Sequence, residues 1–158
     1  MSLRARLSTV ETCGSFRTAA EERFWDGFAL ATECGDRRMG AIYLFGYVAE
    51  ILLKAAFYRA IGLADTAPVG LGAIRAHASW QGRNFHDIRA LALLLVDHRR
   101  QTGAPFDPAF AGLLAMHAAT VDANWNESLR YREISASDAE VVEVYRSVEW
   151  IRDNAHVL

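Results

Sequence analysis

The chain is predicted to be all-α: an antiparallel, up-and-down bundle of five main helices, with a short extra helix in the 63–83 connection. Three observations predict it. Helix caps recur along the chain, apolar residues return every three to four positions behind each cap, and no stretch carries the alternation of a convincing strand. A length of 158 residues, 52% hydrophobic and 23% charged, suits one domain over residues 1–158 with a sizeable core.

The first helix is expected from about Phe16 to Glu33, with Ser15 as N-cap. Phe16, Ala20, Phe24, Gly27, Phe28 and Ala31 fall on one face of it. The second starts after Asp36 and ends before Gly62, which reads as a C′ glycine. The third starts at Asn84, with Asp87 three residues on as a variant capping box, and ends before Gly103. Its stripe is Ile88, Leu91, Ala92 and Leu95. The fourth has Asp107 as cap and Pro108 at the first helical position, and carries Phe110, Leu113, Leu114, His117 and Val121. The fifth opens with the capping box Ser137-Asp-Ala-Glu140, followed by Val141, Val144, Tyr145, Val148 and Ile151. The stretch 63–83 is too long for a bare loop, so a short helix is expected near Leu71–Ser79. A second long connection, 122–136, holds Trp125 and Tyr131, which are expected to pin it to the body.

Helix two contains the only lysine of the chain, Lys54, one turn after Glu50. They are the only charges between Met39 and Tyr58. A charge in so apolar a helix needs a partner, and the i, i+4 spacing supplies one. The segment is long enough to span a bilayer. A central charge would cost about 2.5–3.5 kcal/mol there, and four amphipathic helices need a central apolar surface. A buried helix is therefore expected, with no membrane partner. The pair then either orders the helix or lines a cleft or dimer seam.

Composition narrows the function. A net charge of −2 gives no global basic field for nucleic acid. Cys13 and Cys34 lack CxxC spacing, and the polar start is unlike a signal peptide, so a reducing cytoplasmic setting is expected. There is no phosphate-binding, dinucleotide or zinc-protease motif. Histidines 77, 86, 98, 117 and 156 include no i, i+4 pair, so neither a metal nor a cofactor is expected.

Four groups of residues could carry chemistry. Glu50 and Lys54 are the first. Arg152 falls inside the apolar stripe of helix five, with His156 one turn further near the same face. An arginine there should meet an anion, either a carboxylate of the fold or a phosphate. With His156 as general acid or base, the two could serve RNA cleavage; the alternative is a frayed, solvated helix end. His86 and Asp87 open helix three, where capping is the simpler role and ligand contact the other. With Arg75, His77, Arg83 and Arg89 they would form a local basic patch or a solvated surface. Trp125, Tyr131 and Arg132 could stack a nucleobase or anchor the loop.

Several segments resemble the HEPN domain family. Gly46-Tyr-Val-Ala-Glu50-Ile-Leu-Leu-Lys54-Ala is similar to its AAEKALKAL helix, and Phe85-His-Asp-Ile-Arg-Ala-Leu to its GHDLxxL helix start. Leu129-Arg-Tyr131-Arg resembles its TRYP element, and the helix from Asp138 resembles its last helix. The resemblance covers roughly residues 15–155, in the family order. It implies a four- or five-helix bundle, commonly a homodimer, in prokaryotic defence or toxin–antitoxin settings. Some members cleave RNA; others partner a nucleotidyltransferase or bind nucleotides. The family's nuclease signature is R-x4-6-H, whereas Arg152-Asp-Asn-Ala-His156 is R-x3-H. The expectation is a non-catalytic dimeric module for RNA, a nucleotide or a partner protein. The alternatives are a metal-independent ribonuclease using Arg152 and His156, and a structural subunit of a nucleotidyltransferase.

Overall fold

The structure, a computed structural model, describes residues 11–33, 36–131 and 135–158. Its elements are α1 (Cys13–Glu33), α2 (Arg38–Ala60), α3 (Leu71–Ala76), α4 (Ile88–Gln101), α5 (Pro108–Asn124), a 3-10 turn (Glu127–Tyr131) and α6 (Asp138–Asp153). The protein is all-helical, with no named strand among the described residues.

Helix α2 is the centre. It packs on α1, α4, α5, α6 and the 3-10 turn. Ala41, Phe45, Val48, Ala49, Leu53, Ala55, Ala56 and Phe57 are buried around its whole circumference. It is long and apolar enough to cross a membrane, with a mean hydropathy of 1.5, yet 72% of that window is buried inside the protein. Its apolar surface is satisfied by neighbouring helices, the condition of a core helix. Outside it, α4 contributes Leu91, Leu94 and Leu95, α5 Leu114 and Val121, and α6 Val144, Val148 and Ile151 to one continuous core.

The helix ends follow local chemistry. Asp107 caps α5, accepting from the Ala109 and Phe110 N–H groups at 2.9 and 3.3 Å. Ser137 and Glu140 form the reciprocal capping box of α6. Gly62 and Gly103 take φ of +85° and +77° just past α2 and α4, where a side chain would be strained.

Three expected boundaries are corrected. Helix α1 starts at Cys13, and its cap is Thr12, not Ser15. Thr12 Oγ1 accepts from the Ser15 N–H at 3.1 Å while Ser15 Oγ accepts from the Thr12 N–H at 2.8 Å. Ser15 therefore plays the reciprocal N3 part usually taken by Glu or Gln. Helix α4 starts at Ile88, and its cap is Asp87, which accepts from the Ala90 N–H at 2.9 Å. Asn84 instead closes a turn, accepting from the His86 N–H. The short helix α3 ends at Ala76, before Ser79. On α5, Leu113 is exposed while Leu114, Ala118 and Val121 face the core.

Candidate functional site

Four side chains meet beside α2. Glu50 and Lys54 are 4% and 5% exposed, so neither charge is solvated as a surface group would be. Lys54 Nζ donates to Glu50 Oε1 at 2.5 Å. The other carboxylate oxygen, Oε2, accepts from His86 Nδ1 at 2.9 Å. A carboxylate can only accept. Nδ1 of His86 therefore carries the proton of this bond and Nε2 points away from Glu50. Glu50 thus ties α2 to the start of α4 through one oxygen and holds Lys54 with the other. Breaking such a pair by removing one partner typically costs about 3–5 kcal/mol, because the other charge is left buried.

Trp125 completes the cluster. Its ring meets His86 edge-on, with centroids 6.4 Å apart, and Tyr47 at 5.8 Å. The indole N–H donates to the Tyr43 carbonyl at 3.0 Å. Gly46 makes this seat possible: a Cβ there would lie 2.0 Å from the indole ring. Trp125 is 4% exposed, so it anchors the chain after α5 and offers no free face to a nucleobase.

On the α1 side, Glu50 and Lys54 line a cavity of about 450 Å³ between α1, α2 and α3. Arg23, Tyr47, Phe16 and Leu71 are among its other walls. Tyr47 and Arg23 were not among the expected site residues. Residues 47, 50, 51 and 54 stand at i, i+3, i+4 and i+7, so the helical spacing that pairs Glu50 with Lys54 also places Tyr47 and Ile51 on their face.

The remaining candidates lie elsewhere. Asp87 caps α4 and bonds Arg83 at 3.3 Å, and Arg83 also approaches Asp122 at 3.8 Å. Burial and the neighbouring Asp87 push the Asp122 carboxyl up. Arg89 is exposed and lines a separate cavity of about 420 Å³ with Asp87, Asp97 and Asp122. Several residues of the possible basic patch have separate partners. Arg83 faces carboxylates, Arg75 lies over the Phe85 ring, and His77 is bonded to His98 at 3.1 Å. Tyr131 is 75% exposed on the 3-10 turn. Arg132 lies outside the described residues.

Arg152 and His156 do not share a helical face, because α6 ends at Asp153. The Arg152 guanidinium grips Glu21 of α1 at two points, Nε to Oε2 at 2.8 Å and Nη2 to Oε1 at 2.7 Å. It also lies over the Phe24 and Trp25 rings, at 4.4 and 5.4 Å. The hydrogen bond to Arg152 holds the Glu21 carboxyl below the usual range. A carboxylate of the fold, Glu21, thus meets the Arg152 guanidinium. His156 is exposed, with Nδ1 donating to the Asp153 carbonyl at 3.1 Å.

A further histidine arrangement was not anticipated. The Ser79 N–H donates to His77 Nδ1 at 3.2 Å, so His77 Nε2 holds a proton and donates to His98 Nδ1. His98 Nε2 then donates to the Ala60 carbonyl at 3.2 Å. This directed chain fastens the segment after α3 to α4 and the end of α2. The two histidines stand 21 residues apart, outside any local helical spacing, so the sequence carries no signal of their meeting.

No protein-family profile, curated protein or solved structure matches this chain.

Proposed function

We propose that this chain is a HEPN-like, non-catalytic binding and regulatory module. In this reading it is an antiparallel up-and-down bundle that works as a cytoplasmic homodimer in a prokaryotic defence or toxin–antitoxin setting. It binds RNA, a nucleotide or a partner protein. The observation that carries the reading is the Lys54–Glu50–His86 cluster. A helix as apolar as α2 needs no buried ion pair to pack, and replacing such pairs by apolar groups is often neutral or stabilising. A buried ion pair on the wall of a cavity matches the few placed polar groups that orient a ligand in a largely apolar pocket. The resemblance of the α2 and α4 segments to HEPN helices supports the same assignment, since Glu50, Lys54 and His86 all lie in those two segments.

The two-point Arg152–Glu21 contact favours binding over catalysis. A guanidinium committed to a carboxylate is not open to a scissile phosphate, and the helix ends before His156. The test is sedimentation at micromolar concentration, binding of RNA and nucleotides, and RNA cleavage in EDTA by the wild type and His156→Ala. The reading expects a dimer, binding and no cleavage. Cleavage lost in His156→Ala would replace it with the ribonuclease. A monomer indifferent to RNA and nucleotides would remove it, and dependence on a nucleotidyltransferase would favour the structural subunit.

A further inference from the structure

We infer that the cavity between α1, α2 and α3 takes a small organic anion: a carboxylate or phosphate head on an apolar body. The inference rests on the reading of this cluster as a binding site and adds the chemistry of its ligand.

The argument is one of hydrogen-bond supply. Both oxygens of Glu50 are engaged, one by Lys54 and one by His86. Its charge is offset at the point of contact. An ammonium carries three N–H donors, and among the described residues Lys54 places one, on Glu50. Lys54 lines the cavity and is only 5% exposed, so its other donors have little access to bulk water. Arg23, half-buried on α1, lines the same cavity. The hydrogen bond it makes among the described residues is to the Ala19 carbonyl at 3.5 Å, at the limit of such a bond. Ser15 is already taken by Thr12, both as donor and as acceptor. Glu11 also borders the cavity, but it is solvent-exposed, where its repulsion is screened.

The inner surface therefore presents surplus donors on two cations and a carboxylate whose oxygens are already bonded. Such a surface selects a ligand rich in acceptors, and an oxyanion most strongly, because charge-assisted bonds are roughly twice as strong as neutral ones. A neutral or cationic ligand would leave the remaining donors of Lys54 and those of Arg23 without an acceptor, at a desolvation cost. Of the remaining walls, Phe16, Ala19, Ile51 and Leu71 are apolar and suit the body of the ligand, and Tyr47 adds an aromatic ring. A volume of about 450 Å³ is within the range of small-molecule sites.

The test is calorimetric titration of the intact chain with five probes. Benzoate and phenyl phosphate carry the two possible heads, inorganic phosphate carries a head alone, and benzyl alcohol and benzylamine are neutral and cationic controls. Benzoate or phenyl phosphate is expected to bind at least tenfold tighter than either control and than inorganic phosphate. The preferred head tells a carboxylate ligand from a phosphate one. Arg23→Gln, on a partly exposed position, should weaken anion binding about tenfold, a loss of about 1.4 kcal/mol, and Arg23→Lys should recover part of it. Lys54→Met should abolish binding; if it does not fold, Arg23→Gln and Arg23→Lys decide alone. Equal binding of benzylamine, anion binding indifferent to Arg23→Gln, or no heat from either aromatic anion at millimolar concentration would each overturn the inference. A protein that binds RNA but neither aromatic anion loses this inference alone. A monomer that binds phenyl phosphate through Arg23 but ignores RNA and nucleotides loses the dimeric module and keeps the site.

Discussion

Gly46→Ala should be destabilising in the wild type and stabilising once Trp125 is gone. An added Cβ would sit 2.0, 2.0 and 2.3 Å from three atoms of the indole ring. Helix backbone cannot move by that much inside the core, so the ring must leave. Expulsion forfeits the burial of Trp125, for which truncation of a buried aromatic sets a scale of about 3–5 kcal/mol. It also removes the indole bond to the Tyr43 carbonyl, worth about 0.5–1.5 kcal/mol and already part of that truncation scale. Against this, alanine is favoured over glycine in a helix interior by about 0.5–1 kcal/mol. The net expectation for Gly46→Ala is a loss of about 2–4 kcal/mol. In a Trp125→Ala background the obstacle is absent and only the helix term survives, so the same substitution should gain about 0.5–1 kcal/mol. Urea unfolding followed by circular dichroism on the four proteins closes the cycle. Additive effects, with Gly46→Ala equally harmful in both backgrounds, would refute the seating of Trp125 on Gly46.

The other expectations concern the histidines and Arg152. Burial, then the neighbouring His98, depresses the His77 pKa, with Asp97 opposing, and burial depresses that of His117. A histidine whose folded pKa is lowered gives stability that is complete above its unfolded value of about 6.5 and lost as pH falls through the folded value. The urea midpoint should therefore drop between about pH 7.5 and pH 5.5. His77→Gln should flatten the drop, and an unchanged slope would contradict the directed chain through His98. Arg152→Lys should not substitute for arginine, because one ammonium cannot make both Glu21 contacts and stack on Phe24. Since Glu21 is half exposed, the loss should stay near about 1 kcal/mol; a loss several times larger would mean that Arg152 holds more than Glu21 and these rings.

Much of the helical layout was legible because caps and periodicity are local. Asp107-Pro108 and Ser137-Asp-Ala-Glu140 mark their helix starts, and Gly62 and Gly103 mark the ends. The misplaced starts of α1 and α4 share one cause. Thr12 and Ser15, like Asn84 and Asp87, are both cap-forming residues three apart, and sequence does not say which accepts from the helix. The Glu50–Lys54 pair was visible for the same local reason. Its extension to His86 was not, because the bond spans 36 residues and depends on how α4 docks on α2. Arg152 illustrates the converse. Its place in the apolar stripe pointed to an anionic partner or a solvated helix end, and only tertiary packing could choose Glu21, 131 residues away.

The central claim is that Glu50 and Lys54 serve binding and not folding, and the Glu50→Gln/Lys54→Met double variant tests it most directly. Both charges leave together, so no unpaired charge stays buried, and the amide oxygen that replaces the carboxylate can still accept from His86. Unfolding and phenyl phosphate titration on the same sample should show stability within about 1 kcal/mol of wild type and no binding. A double variant that unfolds readily, or one that binds phenyl phosphate as the wild type does, would contradict the account.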